Sequence, residues 1–127
     1  MAKLREIITI PGTPHGAPIP NGAKIGNMVF SSAISGRDVE KKALPDDPDE
    51  QAAAMFKNLR TFMEKAGGSP DNIAHMTVLM KDEKYRDNVN TEWLKMFPNE
   101  DDRPARHALK AELRGGMLFQ IEVIAVL

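Results

Sequence analysis

The residues with the most to offer chemically lie near the end of the chain, in RPARHALKAELRGGMLFQIEVIAVL. Arg106 supplies a planar guanidinium fork, the side chain best shaped to grip a carboxylate through two parallel hydrogen bonds. Gln120 and Glu122 interrupt Met117 to Leu127, a segment otherwise apolar enough to be a buried strand. A carboxylate buried alone is costly, so Glu122 needs a partner. Side chains alternate along a strand, which puts Leu118, Gln120 and Glu122 on one face, and Arg106, Ala108, Lys110 and Glu112 on one face of the strand before. A hairpin closed by Arg114-Gly115-Gly116 sets Lys110 opposite Gln120 and Ala108 opposite Glu122, with Arg106 diagonal to Glu122. A two-residue loop would separate the cluster onto opposite faces. Two uses fit the pattern. One is a structural ion pair, of Arg106 with Glu122 or with an acid across a subunit interface; the other is a clamp for a substrate carboxylate.

Other polar residues carry weaker signals. His15, His75 and His107 are scattered without metal-ligand spacing, so no metal site is expected. His107 alternates away from the Arg106 face, and His15 falls in a Pro/Gly-rich connection from which it can approach a pocket rim, with solvent exposure the stronger expectation. Ser31-Ser32 lacks the G-x-S-x-G of a nucleophile elbow. Gly67-Gly68-Ser69 ends a helix instead of opening one and is no phosphate cradle. The acidic turn Glu100-Asp101-Asp102 is expected to hold Arg103.

The elements that must position these groups follow from periodicity and punctuation. Leu4 to Ile10 reads as a strand, residues 11–22 as an extended Pro/Gly connection, and Ala23 to Ile34 as a hairpin turning at Gly26-Asn27. Asp47-Pro48-Asp49-Glu50 is a helix start, with an Asp cap and proline in the first turn. Ala52, Met55, Phe56, Leu59, Phe62, Met63 and Ala66 then form one apolar stripe, closed by Gly67-Gly68. Ile73 to Lys81 is a strand expected to be buried on most of both faces. Asp82 opens a second helix with Tyr85, Val89, Trp93 and Phe97 on one stripe, which Pro98 ends. Two strands, Ala105 to Leu113 and Met117 to Leu127, close the chain. The order β, β-hairpin, α, β, α, β, β predicts an α/β (α+β) domain over 1–127, with two helices on one face of a mixed sheet. The other face, if apolar and bare, is an association surface, so an oligomer is expected.

Composition narrows the function classes. Of 127 residues, 42% are hydrophobic and 28% charged, with a net charge of −1, which leaves no electrostatic footprint for nucleic acid or an anionic membrane. Cysteine is absent, so disulfides and thiolate metal sites are excluded. MAKLREIITI lacks the apolar run of a signal peptide, and no stretch is long enough to span a bilayer. A cytoplasmic location is the expectation.

Several stretches, in order and over nearly the whole chain, resemble the Rid family (YjgF, or endoribonuclease L-PSP-like). They are IGNMVFSSAISG, the A-G-x-S-x-D-N-I segment at 66–73, VNTEWLKMF, RPAR and QIEVIAV. The resemblance implies a chorismate-mutase-like fold and a homotrimer whose sheets pack into a central barrel, with sites between subunits. It also implies hydrolysis of enamines and imines of 2-amino acids to 2-oxo acids and ammonia, with no metal or organic cofactor. By position, Arg106 matches the arginine that clamps the substrate carboxylate. Pro104 matches the proline fixing the chain before it, Ser32 a serine near the substrate, and Asn90 an asparagine that organises the site. Three positions depart from the pattern. Ala33 replaces a glycine, and Ile19 stands where an aromatic often lines the pocket. Gln120 replaces the glutamate that handles the hydrolytic water, and glutamine exchanges no proton at useful pKa.

Three explanations of Gln120 stay open: Glu122 takes over its role, Gln120 only positions water, or this member binds carboxylated metabolites without deaminating them. The site residues expected on this reading are Arg106, Glu122 and Gln120 for chemistry, with Ser32, Ala33, Asn90 and Ile19 for binding. Ribonuclease activity is disfavoured by the near-neutral charge and the lack of a basic, aromatic-studded groove.

Overall fold

In the computed structural model, which describes residues 3–127, the helix read from Asp47 is α1, Pro48–Ala66. The Asp47 carboxylate accepts the Glu50 N–H at 3.0 Å, and Pro48 sits where no N–H donor is required. Met55, Phe56, Leu59, Phe62 and Met63 are buried along its inner stripe. Gly67 ends it at φ +94°, a left-handed conformation that suits a residue without Cβ. The second helix starts later than expected. Asp82 caps a single 3-10 turn over Glu83–Tyr85, and α2 then runs Arg86–Met96, burying Val89 and Trp93.

The strands are β1 Glu6–Ile8, β2 Gly22–Ile25, β3 Met28–Ser31, β4 Ile34–Ser35, β5 Ile73–Met80, β6 Ala105–Lys110 and β7 Phe119–Val126. They form one sheet in the order β1-β2-β3-β7-β5-β6, with β4 also on β7. All pairs are antiparallel except β5 with β6.

Here the expected closing hairpin fails. β5 lies between β6 and β7, so the two last strands never touch. Residues 111–118 instead round the end of β5, where Ala111 N–H bonds the Met80 carbonyl at 2.8 Å and Lys81 N–H bonds the Leu118 carbonyl at 2.9 Å. Gly115 and Gly116, at φ +63° and +83°, turn the chain within this crossover. A buried side chain on α1 holds it in place. Gln51 Nε2 donates to the Pro45 and Gly116 carbonyls at 2.9 and 3.3 Å, and Leu118 N–H donates to Gln51 Oε1 at 2.7 Å.

One face of the sheet meets the helices through Val29, Met76, Val78, Phe119, Ile121, Val123 and Ala125, all buried. β5 is thus fully buried on one face only, not on both: His75, Thr77 and Leu79 point the other way and are half-buried. That other face carries Phe30, Leu109 and Ile124, which remain 41%, 41% and 37% exposed. Among the described residues no helix is long and apolar enough to cross a membrane.

Candidate functional site

Arg106 stands on the edge strand β6, opposite Met76, whose side chain is buried beneath the helices. In a parallel pair opposed residues share a face, so Arg106 points to the helix side of the sheet. Its guanidinium carbon lies 4.9 Å from the centroid of the Trp93 ring on α2, within cation–π range. Trp93 is itself braced by Phe97 at 4.8 Å between centroids. Arg106 Nη1 is enclosed and has no hydrogen-bond partner among the described residues. Burial, and then the nearby positive charge of Arg86, hold the Arg106 pKa below the ordinary arginine value. Arg86 is itself bound to Glu83 at 2.8 Å. The result is a charged fork on a rigid strand, partly stripped of water, with a donor left over.

Glu122 is not its partner. It pairs across β7 and β5 with Thr77, which in turn pairs with His107 on β6. These three residues face away from the helices, on the open side of the sheet. The expected diagonal between Arg106 and Glu122 is therefore overturned, and with it the ion pair within one chain. The cause is the intervening strand, which shifts the face on which each residue emerges. His107 does alternate away from Arg106, as expected. Glu122 lies in a shallow depression with Phe30, His75 and Thr77.

Gln120 shares the open face with Glu122 but borders a different space. It pairs with Leu79 on one side and with Ser35 of β4 on the other. A cavity of about 240 Å³ opens beside it, lined also by Ala33, Ser35, Met117, His15 and Arg37. The Gln120 amide points Nε2 at the Met117 sulfur, 3.4 Å away, a weak contact that leaves the group available. His15, for which solvent was the stronger expectation, instead takes the pocket-rim alternative: it lines this cavity, and its Nε2 is buried without a partner among the described residues. The Pro/Gly connection folds back because Asn21 ties it down. Asn21 Oδ1 accepts the Ile10 N–H at 2.7 Å, and its Nδ2 donates to the Thr13 carbonyl at 3.0 Å.

The remaining expected residues divide. Ala33 lines the cavity with Gln120. Ser32 spends its hydroxyl proton on the Pro20 carbonyl at 2.8 Å, and its N–H on the Asn21 carbonyl at 2.7 Å. It anchors the Pro/Gly connection to the end of β3. Ile19 is half exposed, at 50%, and lies outside the cavity lining. Asn90 is three residues before Trp93 on α2, which puts it on the side of the helix that meets Arg106. Arg103 is not held by the acidic turn; its Nε donates to the Phe97 carbonyl at 2.9 Å and ties the approach to β6 to the end of α2.

Sequence reasoning missed the Trp93 platform, although the Asn90–Trp93 spacing could have located it. It also missed Ser31, whose Oγ accepts the Val123 N–H at 2.8 Å where the β3 ladder breaks.

The family model described as Endoribonuclease L-PSP matches residues 17–127. The chain belongs to the endoribonuclease L-PSP family. A "RutC family protein" of Haemophilus influenzae is 30% identical over 112 residues, covering 86% of each chain. The crystal structure of the YjgF gene product of E. coli superposes with a TM-score of 0.85 at 27% identity, over 95% of this chain and 98% of that one. E. coli TdcF, solved with bound serine, gives 0.86 at 27% identity over the same shares. Members of this family are thus similar to the chain along almost its whole length, Rid-type YjgF proteins among them.

Proposed function

We propose that the protein hydrolyses carboxylated enamines and imines to 2-oxo acids and ammonia, as a homotrimer with its sites between copies. The observation that carries this reading is Arg106, a desolvated fork stacked on Trp93 with an enclosed Nη1 and no acceptor. A fixed cation without an anion is the complement of a substrate carboxylate. TdcF was solved with serine, itself a small carboxylated amine, which supports the same ligand class.

With the carboxylate held at Arg106, water attacks the imine carbon. A C–O bond forms while the C=N electron pair moves onto the protonated nitrogen. A proton then passes from the added oxygen to nitrogen, the C–N bond breaks to release ammonia, and the oxygen closes the carbonyl as its second proton passes to the departing ammonia, which leaves as ammonium. Gln120 aligns the water but exchanges no proton, so the proton travels on substrate nitrogen. Glu122 is the alternative water-handling group. Two features support assembly. Apolar Phe30, Leu109 and Ile124 stand bare on one sheet face, and Arg106 and Gln120 lie on opposite faces of one chain, so a site using both draws them from two copies.

The test is ammonia and 2-oxo-acid release from freshly generated imines of several 2-amino acids. Wild type is run beside Arg106→Ala, Gln120→Glu and Glu122→Gln. Turnover that disappears in Arg106→Ala is expected; undiminished turnover in that variant refutes the assignment. The amide at Gln120 favours one second reading, a trimer that binds carboxylates without turnover. Activity appearing only in Gln120→Glu would establish it.

A further inference from the structure

The cavity beside Gln120 holds a second unpaired cation. Arg37 and His15 both line it, and Arg37 Nε and His15 Nε2 are buried without a hydrogen-bond partner among the described residues; Arg37 also borders the neighbouring groove lined by Asp38, Glu40 and Glu50. The Arg37 backbone is held in place. Its N–H donates to Ser35 Oγ at 3.3 Å, and its carbonyl accepts Asn58 Nδ2 of α1 at 2.9 Å. No aspartate or glutamate lines the cavity, and Arg37 makes no ion pair among the described residues. Two unpartnered side-chain nitrogens, one of them on a guanidinium, thus belong to residues that line one small space with a glutamine amide at its wall. A buried donor without an acceptor is destabilising, and an incoming oxyanion satisfies it.

We propose that this cavity is a second carboxylate site, in which Arg37 Nε and His15 Nε2 donate to the carboxylate oxygens. Two sources share that chemistry. The carboxylate is either the distal acid of a dicarboxylic substrate anchored at Arg106, or a free small carboxylate that binds independently. Only the first source rests on the deaminase reading above.

Calorimetric titration of the full-length protein with 2-oxobutyrate, 2-oxoglutarate and acetate separates them, using wild type, Arg37→Gln, Arg37→Lys, His15→Gln and Arg106→Ala. For a distal acid, 2-oxoglutarate binds wild type at least ten-fold more tightly than 2-oxobutyrate. Arg37→Gln removes that preference and leaves 2-oxobutyrate affinity unchanged. For a free carboxylate, acetate binds wild type and weakens at least ten-fold in Arg37→Gln, while the two oxo acids behave alike. Arg37→Lys keeps the charge but loses Nε–H, and His15→Gln loses the ring, so each weakens the same ligand if the fold is intact. Affinities unchanged in both Arg37 variants overturn the proposal. So does a structure of the assembly with a neighbouring copy's carboxylate on Arg37. If 2-oxobutyrate binding survives in Arg37→Gln and fails in Arg106→Ala, the Arg106 assignment stands whatever happens at this cavity. If acetate binds at Arg37 while wild type takes neither oxo acid, the Arg106 assignment fails and the cavity stands.

Discussion

Replacing Arg106 with glutamine separates a ligand clamp from a structural ion pair, because the two predict opposite effects on the empty protein. A structural pair loses stability when one member goes, by about 3–5 kcal/mol if the other is left buried and charged. Arg106 has no such partner among the described residues: Nη1 is unbonded, the group is partly desolvated, and Arg86 adds like charge. The favourable interaction that the substitution removes is stacking on Trp93 at 4.9 Å, worth roughly 0.5–1 kcal/mol at a part-exposed site. Relief of desolvation offsets much of that. With an unfolding entropy of about 2.1 cal/mol/K per residue, 1 kcal/mol corresponds to about 4 °C in Tm for a chain of this length. The apo Tm is therefore expected to move by less than about 4 °C. Binding behaves differently. Two charge-assisted hydrogen bonds at about 1.5–3 kcal/mol each, discounted for partial exposure, amount to about 3 kcal/mol, or roughly a hundred-fold in Kd. Scanning calorimetry of the apo protein and titration with 2-oxobutyrate measure both quantities on one preparation. A Tm drop above about 8 °C with Kd unchanged would refute the clamp and restore the structural pair.

The other predictions concern the scaffold and the assembly. Gln51→Leu removes three hydrogen bonds, two of which hold the crossover and one the Pro45 carbonyl, and strands the Leu118 N–H. It is expected to destabilise by about 2–4 kcal/mol, read from the urea midpoint at constant m-value. Phe30→Asp places a charge on the bare sheet face and is expected to convert the proposed trimer to monomers in light scattering and to abolish the proposed imine turnover; an unchanged mass would show that this face is not the interface. Asp38 accepts N–H bonds from Lys41 and Glu40 at 3.0 Å each, and its pKa lies below the ordinary 3.8, with the Lys41 bond the largest cause. A depressed carboxylate pKa stabilises the fold above the unfolded value and loses that contribution as pH falls through the folded one. Protection of the Glu40 and Lys41 amides, relative to their intrinsic exchange at each pH, should therefore fall only below about pH 3.8, and Asp38→Asn should remove that acid-dependent step.

What the sequence disclosed was local, and what it hid was the order in which strands pair. The Asp47 cap, the Met55–Phe62 stripe and the Gly67 stop each depend on residues within four positions, so they read directly as α1. The β2–β3 hairpin at Gly26-Asn27 did so for the same reason. The β6–β7 hairpin failed because Arg114-Gly115-Gly116 has the chemistry of a tight turn, and turn chemistry says nothing of which strands flank it. The deciding interactions lie far off in sequence: Gln51 grips Gly116 and Leu118 from α1. That single error moved Glu122 to the face opposite Arg106. His15 was misjudged likewise, because the fold-back of the Pro/Gly connection rests on Asn21 bonding to Ile10 and Thr13.

The polar residues of the closing strand now have a different account. Gln120 and Glu122 need no partner from Arg106 of their own chain, because they stand on a sheet face that one chain leaves open. Arg106, in turn, faces an enclosed edge beside Trp93 with a donor left over. A single chain therefore carries two incomplete polar sites: a cation at the β6 edge, and an amide with Arg37 and His15 beside β4. Unpaired buried donors are rare in proteins, since each destabilises the fold that holds it. Arg106 Nη1 and Arg37 Nε can only donate, so what is missing at both is an acceptor, while His15 Nε2 lacks a partner of either kind. Water could fill each place singly. An oxyanion fills them with the opposite charge as well, and at the two arginines it is the stronger complement. A ligand carrying a carboxylate at each end would satisfy both sites at once, provided two copies bring the β6 edge of one against the β4 cavity of the other.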